Sequence, residues 1–392
     1  MAQAPGATRT TEIFEARPSS EEWGVLVHEL RGPGWREILG LVALSYTLFY
    51  LSLFFFGGLG LIGGDRFGDN PAYLELATAI RHWKFSGITA HQFWGVSYAT
   101  AALSLVTGVP LRESLVVVCI VSSIIAVILC YRLWGGWVAA FFVVLSLDWF
   151  QRSLLGGSES LFMALVLAAF WFLRREKWKL SAIAGALATV VRPYGFFVLF
   201  GLGIQLLWQR KLKELLHAIV IALLIGAAYA WPLAHYLGDP FANVTAYRQS
   251  DWHGGFPYTF PFVTIIRDTL GTPAPLTSTV LTSAWVVLLV AGIVVALIDG
   301  DLRRYGKAYL AEVWFVCIFS LALVTYSSRE WARTDFPRFA LPILPWILVF
   351  LYRYLPKKGA VIWTLAVVTP ILAAASAIGI RNVAGVIAKH FH

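Results

Sequence analysis

ILGLVALSYTLFYLSLFFFGGLGLIGGDRFGDNPAY, residues 38–73, decides how this chain is read. Residues 38–62 carry no charge and exceed the roughly 20 residues needed to cross a bilayer as a helix. The apolar run then breaks at Gly63-Gly64 and delivers two aspartates, Asp65 and Asp69, at its end. Charge near a bilayer is expensive, so carboxylates placed there call for a chemical reason.

The surroundings support a membrane reading. The chain is 58% hydrophobic and 14% charged, against roughly a quarter charged in an average soluble domain. Apolar segments recur as far as Ile380 with short polar breaks, so residues 38–392 read as one integral membrane unit. Residues 1–37 form a cytoplasmic segment in which Glu21 to Arg31 has the period of an amphipathic helix lying on the membrane surface. The polarity of this segment argues against a cleavable signal peptide, leaving the first span as its own insertion signal. Cys119, Cys130 and Cys317 all sit in apolar runs, where cysteine is a small hydrophobe and implies neither a metal site nor a disulfide. A net charge of +9 would suggest nucleic acid for a soluble chain. Here the basic residues cluster at Arg174–Lys179, Arg210–Lys213, Arg303–Lys307 and Arg353–Lys358, between apolar segments. They follow the positive-inside rule and report topology, so no nucleic-acid partner is expected.

With those clusters in the cytoplasm, the reading is an all-α polytopic protein of about 11 transmembrane helices. Spans are expected near residues 38–62, 114–131, 137–150, 159–173, 181–191, 195–208, 216–236, 279–298, 310–326, 338–353 and 360–380. Residues 64–113 and 237–277 become the two large outer loops. Parity keeps Phe93–Val106 from crossing, which makes it a helix against the outer leaflet. The pair 181–191 and 195–208 is too short for two full spans and predicts a hairpin turning within the membrane at Arg192-Pro193-Tyr194. The outer face then collects most of the polar residues of interest, and their basic members are mainly arginine. Arginine's planar fork grips phosphate in two places, so an outward site facing a lipid phosphate follows.

Five stretches, in this order and on this side, resemble the GT-C membrane glycosyltransferases, whose fold has juxtamembrane helices in its first outer loop. They are Gly68-Asp69-Asn70-Pro71-Ala72-Tyr73-Leu74 after the first span, the membrane-edge segment Phe93–Val106, and Gly156-Gly157-Ser158-Glu159-Ser160 at the head of a span. Leu187 to Gly195, with its Arg192-Pro193, and Arg338-Phe339-Ala340-Leu341-Pro342 complete the set. The segment His91–Tyr98 and the Ser-Glu-Ser-Leu run look most like bacterial relatives of the GPI mannosyltransferases. The resemblance implies an inverting transfer of a sugar, such as mannose, from a polyprenyl-phosphate donor to a glycan, lipid or protein acceptor. Such a protein would sit in a bacterial plasma membrane with its active site outside. Where the family often has a proline-rich motif, this chain has Phe93-Trp94-Gly95-Val96-Ser97-Tyr98, which leaves the sugar open.

The chemistry suits the residues. A hydroxyl attacking an anomeric carbon needs one base, while a phosphate leaves without a proton, so a single carboxylate can suffice. Asp69 is the candidate base, with helix N-capping before Ala72–Trp83 as the competing role. Asp65 is a second candidate carboxylate, though a turn after two glycines explains it as well. Arg192, Arg338, Arg333 and Arg329 are candidates for the phosphate, and Tyr73 and His253 for substrate contact. Glu159 either starts its helix favourably or binds acceptor or metal. No cofactor is demanded, and a divalent metal stays open. Two rivals remain: a polyprenyl-linked glycan polymerase or ligase, and a lipid-linked sugar flippase or transporter. Gly58-Leu59-Gly60-Leu61-Ile62-Gly63 matches a dinucleotide-binding pattern but lacks the preceding strand and following helix that pattern requires.

Overall fold

The computed structural model describes residues 32–64, 67–85, 88, 90–250, 258–270, 276–327 and 335–379. The expected surface helix at Glu21–Arg31, and Asp65, His253, Arg329 and Arg333, lie outside the described residues. Among those residues the chain is helical throughout, without strands, apart from an isolated bridge between Tyr258 and Tyr326.

The first element, α1 (Trp35–Phe55), is followed by α2 (Asn70–His82), α3 (Gly95–Thr107), α4 (Leu111–Trp134) and α5 (Gly136–Val144). After α6 (Leu147–Leu154) and α7 (Glu159–Arg174), α8 (Trp178–Val191) and α9 (Phe196–Trp208) form the hairpin, and α10 (Leu212–Leu237) leaves it. The remainder is α11 (Ala242–Ser250), α12 (Val263–Leu270), α13 (Leu276–Ile298), α14 (Gly300–Ala308), α15 (Leu310–Thr325), α16 (Phe336–Ala340), α17 (Leu344–Phe350) and α18 (Gly359–Ile378). Among the described residues five helices are long and apolar enough to cross a membrane, and up to seven if each of two bent pairs counts as one span. A multi-pass membrane protein is compatible with that set.

Several expected spans are reshaped by local chemistry. The first helix stops at Phe55, ahead of Gly57-Gly58, and residues 59–61 form a single tight turn instead of continuing. The expected span at 137–150 breaks after Val144, because the Ser146 hydroxyl accepts from Trp149 N–H at 3.4 Å and starts a new helix. That helix, α6, meets α7 at 103°. The stretch at 338–353 is cut into short pieces by Pro337, Pro342 and Pro345, each of which removes a backbone donor. It is nonetheless buried along almost its whole length, a position in the core where an all-apolar helix belongs.

The bundle packs α7 between α4 and α8, α18 against α1, and α15 against α9. The Arg174 end of α7 also holds a structural ion pair. The Arg174 side chain is only 8% exposed, its Nε and Nη2 gripping both oxygens of Glu312 at 2.6 and 2.8 Å. Its Nη1 donates to the Leu133 carbonyl at 2.7 Å, and Tyr309 lies under the guanidinium. Trp346 and Tyr305 also donate to Glu312, so this ion pair is fully satisfied and staples α7, α14, α15 and α17 together. A buried charge left unpaired costs several kcal/mol, which explains why so many donors converge there.

The second expected outer loop is also tied down. Asn243 is buried, its amide donating to the carbonyls of Ala90 and Gln92 at 2.5 and 2.6 Å while its oxygen accepts from Tyr229 at 2.8 Å. Asn243 opens an Asn-X-Thr sequence of the N-glycosylation type, Asn243-Val244-Thr245, yet it serves as a clip between two segments with no free amide.

Candidate functional site

Asp69 stands at the N-cap of α2, yet its side chain makes no cap hydrogen bond. Pro71 in the first turn accounts for part of this, since one helical N–H is missing there. The carboxylate turns instead toward α16, where Arg338 Nη2 donates to Asp69 Oδ2 at 2.5 Å. Arg338 Nε donates to Glu159 Oε1, and the same oxygen accepts from Arg192 Nη2. Arg192 Nε donates to Ser158 Oγ at 2.8 Å, and that hydroxyl accepts from Tyr73 Oη at 3.0 Å. Asp335 lies 3.9 Å from Arg338 Nη1. Five of the sequence-predicted residues, Asp69, Tyr73, Glu159, Arg192 and Arg338, thus form one continuous network drawn from four separate stretches of chain.

Local structure explains how each arrives. Arg192 is the extended residue between α8 and the turn Pro193–Gly195, so the hairpin tip presents its side chain sideways to the head of α7. Glu159 opens α7, where the helix dipole favours a carboxylate, and at 2% exposure it serves both arginines. Gly156 holds φ +121°, and a Cβ there would stand 2.6 Å from the Asn70 amide, which itself donates to the Leu155 carbonyl. Only glycine permits both the backbone and the close approach that seat α2 on the head of α7.

Sequence reasoning assigned no role to Arg152 or Ser158. Arg152, on α6, is buried, lies over the Phe67 ring, and its Nε and Nη1 have no hydrogen-bond partner among the described residues. A Cβ on Gly68 would fall 2.3 Å from its Nη1, so the glycine makes room for the guanidinium. The signal available in sequence was a set of glycines, Gly68, Gly156 and Gly157, close before the charged residues Asp69 and Glu159.

Electrostatics follow from the pairing. Burial would raise the Asp69 carboxyl, but the Arg338 guanidinium outweighs it and holds the group below its ordinary value. Burial pushes the Tyr73 hydroxyl up to about 12, keeping it a donor at neutral pH. Among the described residues no group of three or more His, Cys, Asp or Glu side chains gathers closely enough to hold a metal. Asp69 and Glu159 both already face arginines.

The network forms one wall of a cavity of about 430 Å³. Its other walls are mostly aromatic, including Phe93, Tyr194, Tyr247, Tyr258, Tyr326 and Phe339. Beside it, between α8, α9 and α10, runs an apolar slot of about 420 Å³, and Phe93 lines both spaces. Tyr229 stacks on Phe93 with ring centroids 6.4 Å apart at their junction. The arrangement can hold an anionic, partly sugar-like group beside a carboxylate and accept a long apolar chain alongside. Comparison with family models, curated proteins and solved structures finds no match for this chain.

Proposed function

We propose that the protein is an inverting glycosyltransferase of the GT-C type that takes a sugar from a polyprenyl-phosphate donor. The observation that carries this reading is the convergence of Asp69, Arg192 and Arg338 on one aromatic-walled cavity that adjoins an apolar slot. In the reaction an acceptor hydroxyl attacks the anomeric carbon and gives its proton to Asp69. The bond from that carbon to the phosphate oxygen breaks with inversion, and the lipid phosphate departs as an anion. Arg192 has its Nε and Nη2 engaged by Ser158 and Glu159, while no acceptor among the described residues meets its Nη1, which is available to the phosphate. Arginines near the leaving oxygens stabilise the charge that builds there. Glu159 orients both arginines, and Arg338 keeps Asp69 ionised. The about 11 spans expected from sequence, with this site on the outer face of a bacterial plasma membrane, belong to the same reading. The acceptor is a glycan, lipid or protein bearing a free hydroxyl.

The lipid-linked flippase reading is disfavoured by the placement of charge. Apart from the network, the buried ion pair of Arg174 and Glu312 is fully satisfied, so no charged path runs through the bundle among the described residues. The test is to incubate purified protein with polyprenyl-phosphate hexoses, mannose first, and to measure release of polyprenyl phosphate. Consumption of a nucleotide sugar with every lipid donor left intact would sink the proposal.

A further inference from the structure

A second groove lies at the far side of the bundle, between α13, α14 and α15, with a volume of about 490 Å³. Its walls are almost entirely apolar, including Leu289, Ile293, Leu297, Val316 and Leu321, and it takes no part in the network around Asp69. Two features depart from an ordinary lipid-facing crevice. Ser320 lines the groove at 5% exposure, and its hydroxyl has no hydrogen-bond partner among the described residues. Arg303 lines the end formed by α14, a helix of sequence GDLRRYGKA that turns 105° away from α15.

The two ends are chemically opposite. One is closed by the segment at Thr259–Phe262, whose Thr259 and Phe262 N–H groups donate to the carbonyls of Thr325 and Val324 at 2.7 and 2.8 Å. The other is basic. Arg303, Arg304 and Lys307 are exposed on α14, whereas Leu302 and Tyr305 bury its opposite face. The helix is fixed in place, because Asp299 accepts from the N–H groups of Asp301 and Leu302 and Tyr305 donates to Glu312. This end also sits away from the Asp69 network, since α7 separates Glu159 from Arg174 by roughly 22 Å, and Arg174 touches Tyr305 of α14.

From this geometry we infer that the groove between α13, α14 and α15 is a binding site for an anionic phospholipid. Its phosphate meets Arg303, which lines the groove, with Lys307 one helical turn further adding positive charge on the same side, and an acyl chain lies along the apolar wall past Ser320, whose hydroxyl meets the ester oxygens. Charge complementarity selects the anionic headgroup, and juxtamembrane basic clusters are the expected partner of such lipids. The closed end excludes a ligand whose head enters from the side of the sugar-transfer site. The inference is independent of the proposed transfer reaction.

Cys317 makes the site measurable. It lines this groove and is exposed, while Cys119 and Cys130 are buried. In detergent, phosphatidylglycerol should slow alkylation of Cys317 by N-ethylmaleimide, and phosphatidylcholine at equal concentration should not. Arg303→Gln combined with Lys307→Gln should weaken the phosphatidylglycerol effect by roughly tenfold or more, since a single lost charge-assisted hydrogen bond is worth about that much. Thermal unfolding without lipid confirms that the variant is folded. Equal protection by both lipids, or protection unchanged in the double variant, overturns the site. Displacement of phosphatidylglycerol by an equal amount of polyprenyl phosphate also overturns it, because the groove would then belong to the carrier lipid.

Discussion

Arg338 Nη2 reaches Asp69 Oδ2 at 2.5 Å across 269 positions of sequence, joining the fragmented α16 to the head of α2. The same guanidinium holds Glu159, so one arginine sets the orientation of two carboxylates. Asp69 is thereby withdrawn from capping and placed as an ionised acceptor facing the cavity.

Asp69→Asn should retain donor binding and lose at least about 10²-fold in turnover, the usual contribution of a positioned base. Asparagine keeps the shape and the cap preference, so unfolding temperature should change little. Wild-type turnover in this variant, measured by release of lipid phosphate, would remove Asp69 from the reaction.

Arg192→Lys keeps a charge but loses the planar fork. It cannot serve Ser158, Glu159 and a phosphate at once, so donor affinity should fall by roughly tenfold or more. Equilibrium binding of a polyprenyl-phosphate sugar reads this directly. Unaltered affinity with normal folding would return Arg192 to a purely structural role.

The pH dependence has a definite sign. Asp69 is held below its ordinary value by Arg338 despite burial. Its contribution to stability is therefore present above the unfolded value of about 3.9 and disappears as pH falls through the lower folded value. As the base it stays deprotonated over the same range, so the acid limb of kcat/KM should lie below about pH 4. Arg338→Gln should move that limb upward. An acid limb near pH 6 in the wild-type protein would mean that another group titrates.

Glu312→Gln strands the Arg174 charge in the core and should cost about 3–5 kcal/mol, read as a lower unfolding temperature in detergent. Replacing both partners, Arg174→Met with Glu312→Leu, should recover most of that loss. If the single variant is as stable as wild type, the ion pair is not the staple described.

The two ends of the bundle can be assigned to sides of the membrane. Phe241 is exposed beyond α10, and Lys177 precedes α8 at the opposite end. In a Cys317→Ala background, Phe241→Cys should react with an impermeant thiol reagent added outside intact cells, and Lys177→Cys should not. Reversed labelling would place the Asp69 cavity inside.

Much of the architecture was legible in the chain. Apolar runs of membrane length, the Arg192-Pro193 turn and the short helix after Trp94 are local features, set by hydropathy, missing backbone donors and helix length. They foretold α4, α10 and α18, the hairpin of α8 and α9, and α3. The breaks at Ser146 and through Pro337, Pro342 and Pro345 were visible as residue types but not as bends, because a proline in an apolar run can kink a helix or end it, and packing selects which.

Sequence alone determined the material of this protein: apolar helices, basic ends, and a small set of carboxylates and arginines placed where a bilayer makes charge costly. Tertiary structure decided what those charges do. Whether Asp69 caps a helix or faces Arg338, whether Arg174 is a loop charge or a buried staple, and whether Asn243 is free or clipped each depends on a partner far away in sequence. Local propensity does not encode such partners. They are chosen when burial forces every charge and amide to find one, and that requirement is imposed by the packed bundle as a whole.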